Sequence, residues 1–391
     1  VLKVEELSGK RSDLMKFIKF AWKIYKNDPN WVPMLISDQL NTLRGINHAL
    51  FENGPHTIFM AYRDGEPVGR ILAGVDAKLN DIANIAQGYF ALFECVDDQE
   101  VANLLFDTAK NWCAQHGTDT MIGPASPTNG EDSKGVLMDD FTSPPKLMNS
   151  YNHPYYIKLY ENYGFEKDED HVAYIFSREE ALKYLDKRPE IEMVEKRFNF
   201  RVDRFNIKQM RKECSDIHRI LQEGMPEDWE YTTPASLEAI YDEFNMLSPL
   251  YQHNFVHIAR SNIGDRPIGF IIGLQDYNVV MKKMNGHMFP LGWLYFLTTR
   301  KKIDTVRIFV QFVVKDYWRK GVNSAIFYEM CRDLEASNIK WVEASCIGER
   351  NTISRSSVEN AGMKLYRTYR VFRTNMEATG PYIKFVEGTK W

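Results

Sequence analysis

Apolar positions recur along this chain with two periods, and the order of the periods is itself repeated. Asp13 to Tyr25 carries apolar residues at helical spacing (Leu14, Phe17, Ile18, Ala21, Trp22, Tyr25), which predicts a helix with Ser12 as its N-cap. Thr57–Tyr62 and Pro67–Val75 are β-type runs around Arg63-Asp64-Gly65-Glu66, and Asp-Gly between apolar runs predicts a hairpin. Gln87–Val96 reads as a strand. Asp98–His116 reads as a helix with Val101, Leu104, Leu105, Ala109 and Trp112 on one face and Gly117 closing it. After a short strand at Thr120–Gly123 comes an irregular stretch from Pro124 to Tyr156, containing PTNGEDSKG and YNHPYY. Connections of that length are usually functional, and Asn129, Gly130, Asn152, Tyr155 and Tyr156 mark a loop long enough to reach across a domain interface. Ile157–Tyr163 predicts a short helix ended by Gly164, and Val172–Phe176 a strand.

Beyond a charged, partly helical run (177–192) the same plan returns. Phe198–Phe205 is strand-like, Ile207–Glu223 helical, and His253–Ala259 and Pro267–Gly273 form a second hairpin around Ile263-Gly264-Asp265-Arg266. DGEPVGR at 64–70 matches GDRPIGF at 264–270, and Tyr160-Glu161-Asn162-Tyr163-Gly164-Phe165 matches Val358-Glu359-Asn360-Ala361-Gly362-Met363. The strand–turn–helix of 305–335 aligns in turn with Tyr89–Trp112, and three matched elements in one order argue for two copies of one fold. Between the matched ends, Val306–Val314 is a buried-strand run, Lys315–Gly321 a turn with a glycine and cations, and Val322, Ala325, Ile326, Met330 and Leu334 mark a helix. A strand leading through such a turn to a helix start points backbone N–H groups outward together, a favourable setting for phosphate.

The element order, the YENYGF segment and VKDYWRKGVNSAIF together resemble the GNAT-type acyl-CoA N-acyltransferases. The layout is similar to that of large two-domain bacterial GNAT proteins and of mycothiol synthase. The resemblance implies an α/β chain of two GNAT-like domains in tandem, each a mixed, mostly antiparallel sheet flanked by helices. The expected bounds are 1–178 for an N-terminal domain without a CoA site, 179–195 for a linker and 196–391 for a C-terminal domain with the acyl-CoA site. It also implies a donor held in the split between the fourth and fifth strands, with its pyrophosphate on the following helix start. In the second half that assigns donor contacts to Phe312, Val313, Val314, Arg319, Lys320, Gly321, Val322, Asn323 and Ser324, with Asn351 and Ser354 on the next helix. Trp318 and Asn323 depart from the family's residues there. In the first half the matching turn, Val96-Asp97-Asp98-Gln99-Glu100, has no glycine and three carboxylates, which repel a pyrophosphate.

Acyl transfer to an amine needs a base for the ammonium and an acid or water for the departing thiolate. Glu343, on the predicted strand Lys340–Ile347, is the candidate base, with a solvent-facing strand carboxylate as the alternative. Tyr160 holds the position from which the family's tyrosine protonates the thiolate, whereas Val358 stands there in the second half. The half with the usable loop therefore lacks the usual acid, which keeps a non-catalytic GNAT-derived binding or regulatory protein open beside an N-acyltransferase. The apolar segment MFPLGWLYFL (288–297) is read as a strand, a lid over an acceptor pocket or a dimer contact. It makes a lipid-amine acyltransferase with long-chain donors a further alternative. Of the second-half histidines His253, His257 and His287, His257 falls inside a predicted strand and is read as structural.

Composition narrows the classes. A length of 391 residues suits two or three domains, and 44% hydrophobic with 26% charged residues is a globular balance. A net charge of −4 argues against nucleic acid as a partner. The five cysteines are scattered without a CxxC pair, so neither zinc nor a disulfide framework is expected. No apolar run reaches membrane-spanning length and the first residues lack a signal-type apolar region, so a cytoplasmic protein is expected. Its expected partners are a small-molecule or lipid amine and acyl-CoA as co-substrate, without a metal, and with a homodimer among the assemblies considered.

Overall fold

The computed structural model describes residues 1–46, 49–125, 134–224, 235–247, 255–389 and 391; Asn129, Gly130 and His253 lie outside them. The first copy runs β1 (Leu2–Glu6), α1 (Arg11–Ile24), α2 (Ile36–Leu43), β2 (His56–Arg63), β3 (Glu66–Val75), α3 (Ala77–Ala83), β4 (Gln87–Cys95), α4 (Gln99–Gln115), β5 (Thr120–Gly123), β6 (Val136–Leu137), α5 (Tyr155–Tyr163) and β7 (Glu166–Ser177). Two helices, α6 (Arg178–Leu182) and α7 (Arg188–Phe198), lead to the second copy. That copy runs β8 (Phe200–Arg204), α8 (Met210–Gly224), α9 (Leu237–Leu247), β9 (Val256–Ser261), β10 (Pro267–Gln275), α10 (Asn278–Met284), α11 (Gly292–Thr299), β11 (Thr305–Val313), α12 (Val322–Glu335), β12 (Trp341–Gly348), α13 (Thr352–Asn360) and β13 (Lys364–Asn375).

Local chemistry explains most boundaries. Asp64 and Gly65 both take positive φ in the β2–β3 turn, as a two-residue hairpin turn requires. Gly164 closes α5 in the left-handed region. Ser12 is not a cap: α1 begins one residue earlier, Lys10 stands at its N-cap without a side-chain bond, and Ser8 instead donates to Asp13 at 2.7 Å. The segment 288–297 is not a strand, because α11 occupies most of it.

The described strands build one thirteen-stranded sheet in the order β1-β2-β3-β4-β5-β13-β7-β12-β11-β10-β9-β8, with β6 on β13. The last strand of each copy is therefore inserted beside the other copy: β13 pairs with β5, and β7 pairs with β12. Between them, β7 and β13 pair with each other along most of their length. Charge complementarity accompanies that junction. Arg370 on β13 bonds Asp170 on β7 at 2.8 and 3.0 Å, and Arg373 meets Asp168 at 3.4 Å. Pairing with β13 is why β7 extends back through the polar run Glu166–Asp170, well ahead of the expected start at Val172, while β12 pairs with it only from His171 on. Cross-strand opposite charges stabilise such a ladder by a few tenths to about 1 kcal/mol each.

The second copy also holds the first copy's long loop. Arg367 of β13 is fully buried and donates to Asp140 at 3.1 Å, to the Ser143 carbonyl at 2.7 Å and to the Pro144 carbonyl at 3.2 Å. Further on, the Leu147 N–H donates to Asp276 at 3.0 Å, and Asn278 donates to the Pro145 carbonyl at 2.8 Å. A buried guanidinium is costly unless its donors are engaged, and here loop carbonyls engage them.

Candidate active site

Each copy contains a fork where two parallel strands part. In the first, β4 and β5 pair only through Gln87–Tyr89 and Thr120–Ile122. In the second, β11 and β12 pair through Thr305–Ile308 and Trp341–Ala344. The leading strand of each fork carries a register shift. That on β4 falls where Leu92 takes a φ of 51°, opposite the Arg70–Leu72 stretch of β3. That on β11 lies opposite Ile272 and Gly273. The intervening pairings make β4 and β11 antiparallel to one another, so the two forks open toward opposite ends of the sheet.

The loops beyond the forks differ. Gly321 stands at the N-cap of α12 with a φ of 78° and provides no side-chain cap, so the first-turn N–H groups of that helix face outward unclaimed by a side chain of their own cap. Arg319 and Lys320 precede it. The loop's own side chains are engaged with one another. Trp318 Nε1 donates to the Val313 carbonyl at 2.7 Å, Gln311 Nε2 donates to Asn323 Oδ1 at 3.2 Å, and Phe312 stacks on Phe270 at 5.9 Å. A Cβ on Gly321 would lie 2.9 Å from Val194 Cγ2 of α7. Val314 and Val322 are core residues, and Asn351 caps α13 by accepting from the Ser354 N–H at 3.0 Å. At the start of α4, by contrast, Asp98 accepts from the N–H groups of Glu100 and Val101 at 3.0 and 3.4 Å, and Arg63 bonds both Asp98 and Glu100 at 2.8 Å. That helix start is occupied by its own carboxylate.

Against the first-copy fork lies a cavity of about 650 Å³. Its walls come from the first-copy fork (Phe93, Glu94), the loop 145–152, the end of β10, and the α10–α11 insertion. Most of the surface is apolar, with Met34, Met148, Met281, Met284, Met288 and Phe296 among the lining residues. Methionine-rich walls adapt to flexible apolar ligands. One wall is ionisable. Glu94 accepts from Tyr25 at 2.8 Å and from Tyr156 at 2.6 Å, and lies 3.6 Å from Arg70. Burial outweighs the ion pair at both of its ends, raising the Glu94 carboxyl above its ordinary value and lowering the Arg70 guanidinium. Burial likewise raises the Tyr25 and Tyr156 phenols. The Glu94 side chain keeps 13% exposure, enough to meet a ligand in the cavity. The end of β4 is held by the YNHPYY segment: the Cys95 N–H donates to Tyr156 at 3.0 Å, and Tyr155 donates to the Cys95 carbonyl at 2.6 Å.

Tyr160 lines the same cavity, buried and stacked on Phe372 at 5.0 Å. Glu343 lies beside the second fork, fully buried rather than solvent-facing. It accepts from Asn149 at 2.8 Å, Tyr366 at 2.8 Å and Ser345 at 2.9 Å, with Arg307 at 3.8 Å. Asn149 lines the cavity, so Glu343 meets that space through an intermediary. Another carboxyl near the wall, Asp276, is pushed up to about 6 by burial. Among the described residues no cluster of three or more His, Cys, Asp or Glu side chains suits a metal ion, and no helix is long and apolar enough to cross a membrane.

No family model matches the chain. It is 28% identical over 379 residues to protein YghO of Escherichia coli (strain K12), covering 93% of both chains. It is 24% identical over 368 residues to a bacterial ceramide synthase of Caulobacter vibrioides (strain NA1000 / CB15N), covering 92% of this chain and 94% of that one. Among solved structures, a tandem GNAT protein from the clavulanic acid biosynthesis pathway superposes with a TM-score of 0.55 at 9% identity over 98% of this chain and 100% of that one. The chain has the tandem GNAT fold. A GCN5-related N-acetyltransferase from Sphaerobacter thermophilus matches at a TM-score of 0.51 and 10% identity, covering 98% of each chain. A glucosamine N-acetyltransferase region of a fungal multi-domain enzyme matches at 0.56 and 15% identity, covering 96% of this chain and 38% of that longer one. The tandem GNAT fold and the relative named as a ceramide synthase together support acyl transfer as the general chemistry.

Glu94 and Arg70 are the cavity-wall residues of this tandem GNAT fold that sequence reasoning missed. A signal existed: aligning DGEPVGR with GDRPIGF sets Arg70 against Phe270, and a lone carboxylate interrupts the apolar run YFALFECV (89–96). The structure completes the contrast, because Arg70 pairs with Glu94 across β3–β4 where Phe270 pairs with Phe312 across β10–β11.

Proposed function

We propose that this protein is an N-acyltransferase that moves an acyl group from acyl-CoA to the amine of a long-chain, apolar acceptor. The observation that carries this reading is the apolar cavity with Glu94 in its wall. A cavity of this size and lining suits an alkyl chain better than a small polar amine, and the relative named as a ceramide synthase makes long-chain amino alcohols the first acceptors to test. Glu94 takes the proton from the acceptor ammonium, because it meets the cavity directly and its raised pKa brings it nearer working pH. The amine then attacks the thioester carbonyl, the C–N bond forms, the C–S bond breaks, and the thiolate is protonated by water or by a phenol of the wall, Tyr160 included. Glu343 acts as a positioning residue by orienting Asn149.

For the donor, the second-copy loop is the proposed phosphate contact, through Arg319, Lys320, Gly321 and the first-turn N–H groups of α12. The pantetheine then follows the fork formed by Phe312, Val313 and the parted end of β12. At its root, Asn149 links Ser345 to the cavity.

The test is release of CoA thiol from acetyl-, octanoyl- and palmitoyl-CoA, with ethanolamine or a long-chain amino alcohol as acceptor, and mass spectrometry of the product. Turnover confined to pairs containing a long-chain amine supports the proposal. Binding of long-chain acyl-CoA without any amide product would favour the non-catalytic alternative, for which the engagement of Trp318 and Asn323 by the loop's own groups is the specific observation.

A further inference from the structure

The insertion between β10 and β11 presents an apolar face that nothing among the described residues covers. Met288, Phe289, Leu291, Trp293, Leu294 and Leu297 are all exposed, Phe289 by 79% and Trp293 by 54%. The other side of the same segment closes the cavity: Met288, Trp293 and Phe296 line it, and Phe296 stacks on Tyr277 at 5.9 Å. Cations border this face. Lys282 and Lys283 end α10, Arg300, Lys301 and Lys302 follow α11, and no acidic residue occurs from 277 to 303. In a chain of net charge −4 that is a local reversal of sign.

We propose that the α10–α11 insertion is a docking element for an anionic membrane surface, which sets the cavity mouth against the lipid layer. Exposed Trp, Phe and Leu beside Lys and Arg are the composition of segments that lie in the bilayer interface without crossing it. The apolar chains enter the headgroup–acyl boundary while the cations meet anionic headgroups. A second copy of this chain is disfavoured on the same face, because two such surfaces bring like charges together. A sparingly soluble lipid reaches the cavity from this face without crossing water, and only that last consequence rests on the long-chain acceptor proposed above.

The experiment is flotation of the full chain with phosphatidylcholine vesicles, with and without phosphatidylglycerol. Two variants are compared: Phe289→Glu/Leu297→Glu, whose side chains do not line the cavity, and Arg300→Gln/Lys301→Gln/Lys302→Gln. Wild type is expected to float with anionic vesicles and at least tenfold less with neutral ones, and each variant to lose at least tenfold of the anionic binding with its melting temperature kept. Flotation needs no turnover, so it stands whether or not the acyl transfer is found. No flotation of wild type, equal binding to both vesicle types, or a wild-type dimer in analytical ultracentrifugation that Phe289→Glu/Leu297→Glu dissolves would each overturn the proposal.

Discussion

On the function proposed above, the two copies of the fold divide between them what acyl transfer needs. At matching ladder positions the first copy pairs Arg70 with Glu94, and the second stacks Phe270 on Phe312. At matching helix starts the first copy places Asp98 on its own amides, and the second places a bare Gly321 beside Arg319 and Lys320. The ionisable pair in the cavity wall thus belongs to the first copy, and the bare helix start to the second. The cavity joins the first-copy groups to the loop 145–152 and the α10–α11 insertion, while Arg319, Lys320 and Gly321 lie outside its lining.

The largest effect that probes this division is removal of the proton acceptor. Glu94→Gln is expected to lower kcat by about 10²–10⁴, the usual worth of a positioned general base, while acyl-CoA binding stays unchanged. The pH profile adds a signature. Raising the Glu94 carboxyl above its ordinary value means wild-type kcat/KM falls as pH drops through that raised value, a limb that Glu94→Gln loses. Stability runs the other way. The native state holds the proton more tightly than the unfolded chain, so the contribution of Glu94 is fullest below its unfolded pKa and is lost as pH rises through the native one. A steady-state profile and a melting series over the same pH range check both signs. Unchanged kcat in Glu94→Gln would move the base to another residue and dissolve the contrast.

A smaller effect is expected at the other copy. Arg319→Glu/Lys320→Glu should raise the KM for acyl-CoA at least tenfold, about 1.4 kcal/mol, and leave kcat for the chemical step nearly intact. Gly321 itself is a poor probe, since any side chain at its φ of 78° is strained and meets Val194. Isothermal titration with palmitoyl-CoA at two salt concentrations separates charge from packing, because a phosphate contact weakens with salt. An unaltered affinity would place the donor elsewhere, with the first copy's fork the next candidate.

Much of this arrangement was legible in the chain, because hairpins, strand–turn–helix units and the repeat rest on local periodicity and turn chemistry. The turn at Asp64-Gly65 and the helix start at Gly321 read directly. The exchange of last strands did not, since β7 and β13 carry the same pattern whichever neighbour they take. The clue was electrostatic: Asp168 and Asp170 in one strand match Arg373 and Arg370 in the other, a pairing visible only once partners are known. The cavity was equally hidden, as its walls join residues as distant as Met34, Glu94, Asn149 and Phe296. Glu343 was found by strand position, but its burial among Asn149, Tyr366 and Ser345 depends on a loop from the other copy.

The smallest effect tests the contrast from the silent side. Asp98 serves α4 as an N-cap, accepting from Glu100 and Val101, and Arg63 neutralises it. Asp98→Ala removes that acceptor and frees those N–H groups. The expected cost is about 1 kcal/mol of stability, typical of a lost N-cap, read as a lowered midpoint in urea at unchanged slope. Asp98→Asn keeps an acceptor and should recover most of the loss. Neither substitution should alter acyl-CoA affinity, because the first copy's helix start serves its own structure and not a ligand. Tighter acyl-CoA binding in Asp98→Ala alone would mean the capping carboxylate masks a phosphate site, and the two copies would then differ by one residue's charge rather than by a division of labour.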